Sequence, residues 1–481
     1  MEILSKLYIV LLVVNIMFAL SIIFLERRNI AATWSWLMVL VFFPIAGFFL
    51  YIFLGQNLRK RKIYRIKRQE IAMVSRQVEE QATQLTHAQL GCHDPSVYEY
   101  ENLIYMHLTT NYSLLSSDNE VDIFTDGNDK FAQLLQDIEA AQDHIHMLYY
   151  IVRDDELGRR VLNALTKKAR EGVEVRFLYD DIGSSHLSRH FFDELREAGG
   201  EAVPFFPSKI PYINPRINYR NHRKIVVIDG KVGYVGGFNV GNEYLGLDPY
   251  LGYWRDTHLR LSGGAVLNLQ APFFLDWNLA TGEGVAYEER YFPKEVGAGK
   301  TAIQIVTSGP NSKWHHIRDG YVKMIHSAKE SVLLQSPYFI PDDSLLNAMK
   351  IAALSGVDVK LMLPRKADHK FTRWASHSYV GELLESGIKC YFYEKGFLHA
   401  KTIVVDGKIA SVGTANLDIR SFKLNFEINA FVYDTETACK LAHIFNEDLK
   451  VCSEETLAEY IRRSRFARFK ESIARLVSPI L

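Results

Sequence analysis

Cysteine is scarce. Four residues, Cys92, Cys390, Cys439 and Cys452, are scattered over 481 positions. They show no metal-site spacing and no dense disulfide framework, which fits a reducing compartment. Net charge is also missing, because 56 Lys and Arg balance 56 Asp and Glu. The balance is uneven. Residues 59–68, RKRKIYRIKR, hold seven positive charges and residues 462–475 hold six more, so the middle of the chain is net acidic. That argues against a broad nucleic-acid surface there. Charge is absent from two long apolar runs. Residues 7–25 are interrupted only by Asn15 and Ser21, and residues 34–54 carry no charge. Each run matches the roughly 20 residues needed to span hydrocarbon. A cleaved signal peptide is the alternative for the first run, but no small-x-small site follows cleanly and a second run comes at once. Trp34, Trp36 and Tyr51 would sit at the interfaces, and Pro44 and Gly47 are tolerable in a membrane helix. The basic cluster after the second run outweighs Arg27 and Arg28 between the runs, giving a hairpin with both ends in the cytoplasm.

What the chain does contain is a nineteen-residue pattern written twice. Residues 221–239 read NHRKIVVIDGKVGYVGGFN, and residues 398–416 read LHAKTIVVDGKIASVGTAN. His222 aligns with His399, Lys224 with Lys401, Asp229 with Asp406, and Asn239 with Asn416. Residues two apart on a strand share a face, so each His and Lys point the same way. The apolar runs IVVI and TIVV suit strands buried on both faces. Asp-Gly before a second apolar run signals a hairpin. Each copy therefore reads as strand, tight turn, strand, with His and Lys at one end and Asn returning to it. The two copies can meet to form one site.

The order of elements around the repeat also matches. Strand, helix, strand, helix, strand and hairpin occur in both halves, and GVEVRFLYD in the first aligns with GVDVKLMLP in the second. This predicts two similar α/β domains, each with a mixed sheet, preceded by a two-helix transmembrane hairpin. The expected divisions are a hairpin over 1–58, a helical connector over 59–120, domains over 121–295 and 296–455, and a basic amphipathic segment over 456–481. That last segment mixes Arg and Lys with Ile, Phe and Leu at helical spacing. It suits a helix lying on an anionic membrane, or a surface helix packed on the domain.

Two His, two Lys and two Asn suit phosphoryl chemistry. Histidine is a nucleophile or general acid/base near neutral pH. Lysines and amide donors stabilise charge on equatorial phosphoryl oxygens. Two opposed His permit in-line transfer, one attacking phosphorus while the other handles the proton. Asp229 and Asp406 complete the motif usually counted as catalytic, but at Asp-Gly positions their side chains are favoured for making the turn. His144, His146, His315 and His316 lack carboxylate or Cys partners at ligand spacing and read as structural, so no metal or cofactor is expected. Tyr219 and Arg220 either touch a head group or pack; Ser421 either binds phosphate or caps.

The paired His-x-Lys-x4-Asp motifs resemble the phospholipase D superfamily, and the whole chain resembles the bacterial cardiolipin synthases. The resemblance is carried by ERRNIAATWSWLMVLVFFPIAGFFLYIFLG, YRNHRKIVVIDG, GGFNVGNEYLG, GTANLDIRSFKLNFEIN and the closing ARLVSPIL. It implies a metal-free site, fold as a pseudo-dimer, and transfer of a phosphatidyl group from one phosphatidylglycerol to another through a phosphatidyl-histidine. By analogy His222 would be the nucleophile and His399 the acid/base. Lys224, Lys401, Asn239 and Asn416 would hold phosphoryl oxygens. A carboxylate after each motif would orient a catalytic His, and Asp256 and Glu427 fit those positions. The partners implied are two phosphatidylglycerol molecules and anionic lipid. Alternatives are a hydrolytic phospholipase D, a transferase with another alcohol acceptor, and a membrane-tethered nuclease, which would want a basic groove.

Overall fold

The computed structural model describes residues 2–23, 30–54, 64, 68–207, 216–285, 288–294 and 297–478. Most of the basic run 59–68, Arg27 and Arg28, and part of the loop before Arg220 lie outside these residues.

In the first half, the strands in chain order are β1 (Leu115–Phe124), β2 (His144–Tyr149), β3 (Glu174–Asp180), β4 (Glu201–Phe205), β5 (Ile225–Ile228), β6 (Val232–Gly236), β7 (Tyr253–Arg255) and β8 (His258–Ser262). In the second half they are β9 (Thr301–Ser308), β10 (Ser331–Gln335), β11 (Phe339–Ile340), β12 (Asp358–Pro364), β13 (Lys389–Tyr393), β14 (Gly396–Leu398), β15 (Thr402–Val405), β16 (Ile409–Gly413), β17 (Leu417–Asp418), β18 (Glu427–Tyr433) and β19 (Cys452–Glu455). The repeat forms the β5–β6 and β15–β16 hairpins, both fully or nearly fully buried. Buried Ile and Val on both faces explain why these runs lack strand-like alternation.

The expectation of a separate sheet in each half is corrected. Among the described residues, fifteen strands form one sheet, in the order β19-β13-β12-β10-β15-β16-β18-β9-β1-β8-β6-β5-β2-β3-β4. Reading outward from the β9–β1 pair, the same element order appears on either side. This is a pseudo-two-fold arrangement with β19 added at one edge. Antiparallel pairing of β1 with β9 (Leu115 opposite Gln304) joins the halves and removes two open sheet edges. The join was not expected because β1, LSSDNEVDIF, is polar and mostly half-exposed, and its first residues fall within the predicted connector. A shared core of Phe273 and Trp277 on the Gly264–Thr281 helix, with Ile225, Ile305, Val412 and Phe426, crosses the join.

The two expected membrane runs appear as three helices, Glu2–Ser21, Ile30–Phe42 and Pro44–Leu54. Among the described residues, no helix is long and apolar enough to cross a membrane. The second run is divided at Phe43 because Pro44 has no N–H for the Leu40 carbonyl. Asn15 of the first helix compensates. Its Nδ2 donates to Pro44 O at 2.8 Å and reaches Leu40 O at 3.5 Å. Asn15 thus reaches the Leu40 carbonyl left without a donor and ties the first helix to the start of the third. Ile22, Leu40 and Tyr51 are buried between these helices, whereas Ile9, Met17, Val41, Phe42 and Phe43 are more than half exposed.

Candidate active site

His222 and His399 line one cavity of about 300 Å³, together with Asn239, Asn416, Tyr150, Trp254 and Tyr338. Each His stands just before the first strand of its hairpin. Each is also clipped by backbone pairing to the opposite half. His222 N donates to Phe426 O at 2.9 Å, and His399 N donates to Arg255 O at 2.7 Å. The second clip is extended by parallel pairing of β7 with β14, and the first by a bridge between Asn221 and Phe426. Phe426 precedes Glu427, and Arg255 precedes Asp256. The clips therefore deliver each half's carboxylate to the other half's imidazole.

The resulting pairs are crossed. His222 Nδ1 donates to Glu427 Oε2 at 2.9 Å, and His399 Nδ1 donates to Asp256 Oδ2 at 2.5 Å. All four side chains are at least nine-tenths buried. A carboxylate that only accepts fixes the proton on Nδ1 and leaves the Nε2 lone pair for the ligand. Glu427 is held further by the Thr414 hydroxyl at 2.5 Å and Asn425 Nδ2 at 3.2 Å. Asp256 accepts from Thr257 N at 2.7 Å.

Burial raises both carboxylates, but the facing His and Lys outweigh it and hold Asp256 and Glu427 below their ordinary range. Burial lowers His222 to about 4 against the pull of Glu427. Burial and then Lys401 lower His399 to about 4 against Asp256. Lys224 falls to about 7 and Lys401 to about 8, each through burial, with Glu427 and Asp256 opposing. The lysines lie beneath the imidazoles, where Lys224 Nζ donates to His222 O at 2.8 Å and Lys401 Nζ to His399 O at 2.5 Å. An arriving phosphodiester anion favours the charged form of both lysines and both imidazoles.

The remaining expected residues divide between site and scaffold. Asn239 Oδ1 accepts from Ile151 N, and its Nδ2 donates to the Tyr244 hydroxyl at 3.1 Å, leaving a second hydrogen on that nitrogen. Asn416 Oδ1 is buried with no hydrogen-bond partner among the described residues. Asp229 and Asp406, grouped with the catalytic set by their motif, stand at the opposite ends of β5 and β15. Asp229 accepts from the N–H groups of Gln142, Asp143 and His144, and Asp406 from Lys329, Glu330 and Ser331. Each adopts a left-handed φ, 53° and 52°. They build the turns and anchor β2 and β10. Arg220 packs, ion-paired to buried Asp180 at 3.2 Å. Ser421 Oγ accepts from Asn416 N at 3.2 Å. His144 bonds Asp143, and His146 bonds Gln270 and Glu174.

Several pocket residues carried no motif signal. The Tyr150 ring packs on His222 and the Trp254 ring on His399, each with centroids 4.9 Å apart. Tyr338 bonds Asp368 at the pocket wall. One signal was present in the repeat. Gly237 stands where the second copy has Thr414. A Cβ at Gly237 would lie 1.9 Å from Asp256 Oδ1, so the first half needs glycine there. The second half instead uses the hydroxyl to hold Glu427.

Comparison with known proteins agrees with this architecture. Residues 134–248 and 321–449 match the family described as cardiolipin synthase, phospholipase D-like domain, and residues 13–56 match the phospholipase D-nuclease N-terminal family. The chain is 52% identical to the major cardiolipin synthase of Bacillus subtilis (strain 168), over 100% of both chains. It is 50% identical to the cardiolipin synthase of Listeria monocytogenes serotype 4b (strain CLIP80459), again over 100% of both. A crystal structure of phosphatidylserine synthase from Haemophilus influenzae Rd KW20 shares the fold, with a TM-score of 0.60 at 13% identity, covering 79% of this chain and 100% of that one. With full-length identity of this extent and both halves of the domain matched, the chain belongs to the bacterial cardiolipin synthases of the phospholipase D superfamily.

Proposed function

We propose that this enzyme makes cardiolipin from two phosphatidylglycerol molecules, with His222 as nucleophile and His399 as acid/base. The observation that carries the mechanism is the pair of imidazoles, each bonded through Nδ1 to a carboxylate of the opposite half, facing one cavity. His222 Nε2 attacks phosphorus, the bond to glycerol oxygen breaks, and protonated His399 donates its Nε2 proton to the departing glycerol. The terminal hydroxyl of a second phosphatidylglycerol then gives its proton to His399 and attacks phosphorus, releasing His222 and forming cardiolipin. Lys224, Lys401, Asn239 and Asn416 bind the phosphoryl oxygens as charge builds on them. Glu427 and Asp256 orient the rings and stabilise the imidazolium forms.

The N-terminal helices enter the bilayer of the cell membrane as a hairpin, with the catalytic halves on the cytoplasmic face. The support is their exposed apolar surface, the Asn15 side-chain bond that ties the first helix to Pro44, and the seven basic residues that follow. Purified enzyme incubated with phosphatidylglycerol alone, in chelator, should yield cardiolipin and glycerol in equal amounts. Phosphatidic acid as the main product would replace this reading with hydrolysis, and a strict requirement for divalent metal would remove the metal-free mechanism.

A further inference from the structure

The Arg465–Val477 helix is mounted inside out. Phe466, Phe469, Ile473 and Leu476 fall within about 80° of one another at about 100° per residue. They are 67%, 63%, 45% and 77% exposed. Buried Glu471, Ala474 and Ser478 occupy a face about 150° away. An ordinary surface helix buries its apolar stripe and shows its polar one. Here the polar face is fastened down. Glu471 bonds Arg463 at 2.5 Å and His377 at 2.9 Å, and Arg475 bonds Glu382 at 2.5 Å. His377 and Glu382 both belong to the Lys370–Glu385 helix. This leaves the apolar stripe unpartnered by construction rather than by loose packing.

Charge and position say what covers it. Arg465 and Lys470 flank the stripe, exposed Arg462 and Arg468 lie near it in the chain, and none of the four forms an ion pair among the described residues. The Lys470 ammonium lies 4.2 Å from the Phe466 ring centre. Large apolar side chains ringed by unpaired cations match a lipid surface bearing anionic head groups. The far end of the helix reaches the active site, because Ser478 lines the cavity that holds His222 and His399. The cavity's His369 and Asp368 adjoin Lys366, whose Nζ donates to Tyr250 O at 3.3 Å, and Tyr250 is 63% exposed. The exposed rim therefore offers further aromatic and cationic groups.

We propose that this helix is an interfacial element. Its stripe inserts among the acyl chains of an anionic bilayer and holds the mouth of the cavity against the head groups. The proposal rests on the reading above that the substrate is a membrane phosphatidylglycerol. It adds a contact that is independent of the N-terminal helices.

The test uses the full-length enzyme in vesicles of phosphatidylglycerol and phosphatidylcholine with brominated acyl chains. In a Cys439→Ser background, a fluorophore is placed at Phe469→Cys, at Leu476→Cys, and at Arg468→Cys on the outward polar side. Quenching at 469 and 476 should exceed that at 468 by about threefold, and should weaken when phosphatidylglycerol is omitted. Equal quenching at all three positions, or none, overturns the proposal. So does concentration-dependent shielding of 469 without lipid, which assigns the stripe to a second copy of the chain. In parallel, a Phe469→Ser/Leu476→Ser variant should lose about tenfold in turnover of vesicle phosphatidylglycerol and less than about twofold on monomeric short-chain phosphatidylglycerol. Equal losses on both substrates would make the helix merely structural. Short-chain turnover also tests the chemistry separately. If it yields no cardiolipin, the functional reading fails while the quenching result stands.

Discussion

At the scale of single residues, this site is governed by burial. Lys224 and Lys401 stand immediately before the apolar strands β5 and β15 with almost no solvent, so their charge depends on what faces them. Because burial depresses them to about 7 and about 8, they lose charge as pH rises through that window. In a pH profile of kcat/KM on short-chain phosphatidylglycerol, the alkaline limb should fall there. The limb in kcat should lie at higher pH, since a bound phosphodiester favours the charged lysines. The crossed carboxylates make a sharper forecast. With a p-nitrophenyl phosphatidyl ester, whose leaving group needs no proton, Asp256→Asn should release a burst of p-nitrophenol and then turn over about 100-fold more slowly. Glu427→Gln should show no burst, because its defect lies with His222. A burst in the reverse pattern would exchange the two histidines' roles.

At the scale of elements, the hairpins are turn-limited at one end and chemistry-bearing at the other. Asp229 and Asp406 each gather three backbone N–H groups while holding a left-handed turn. Asp229→Ala should therefore cost about 2 kcal/mol of stability in denaturant unfolding, with kcat per folded molecule little changed. A collapse of kcat in the folded variant would return Asp229 to the chemistry. Gly237→Ala should strike the chemistry as well. Its Cβ meets the buried Asp256 carboxylate, so activity should fall about 100-fold, with about 1–3 kcal/mol of stability also lost to overpacking. The hairpins themselves were readable in sequence, as was the alternation of strands and helices before them, because their periodicity is local. The strand β1 was not. Its polar residues carry no apolar pattern, and its place is set by β8 and β9, the latter some 180 residues away.

At the scale of the whole molecule, neither half contains a complete site. Each imidazole takes its carboxylate from the other half, and the β1–β9 join fixes the two within one chain. Mixing a His222→Ala chain with a His399→Ala chain should therefore restore less than about 1% of activity, whereas exchange of halves between chains would restore a measurable fraction. Reading the sequence located the two His-Lys pairs and put Asp229 and Asp406 at Asp-Gly turns, while the family resemblance pointed to Asp256 and Glu427 as candidate carboxylates. Repetition, strand-face parity and turn chemistry are properties of neighbours in the chain. Only the tertiary structure decided which carboxylate serves which histidine, that two expected sheets are one, and that the C-terminal helix turns its apolar stripe outward. Those outcomes depend on pairing across more than a hundred residues and on which helix face finds ion-pair partners. No local pattern encodes either.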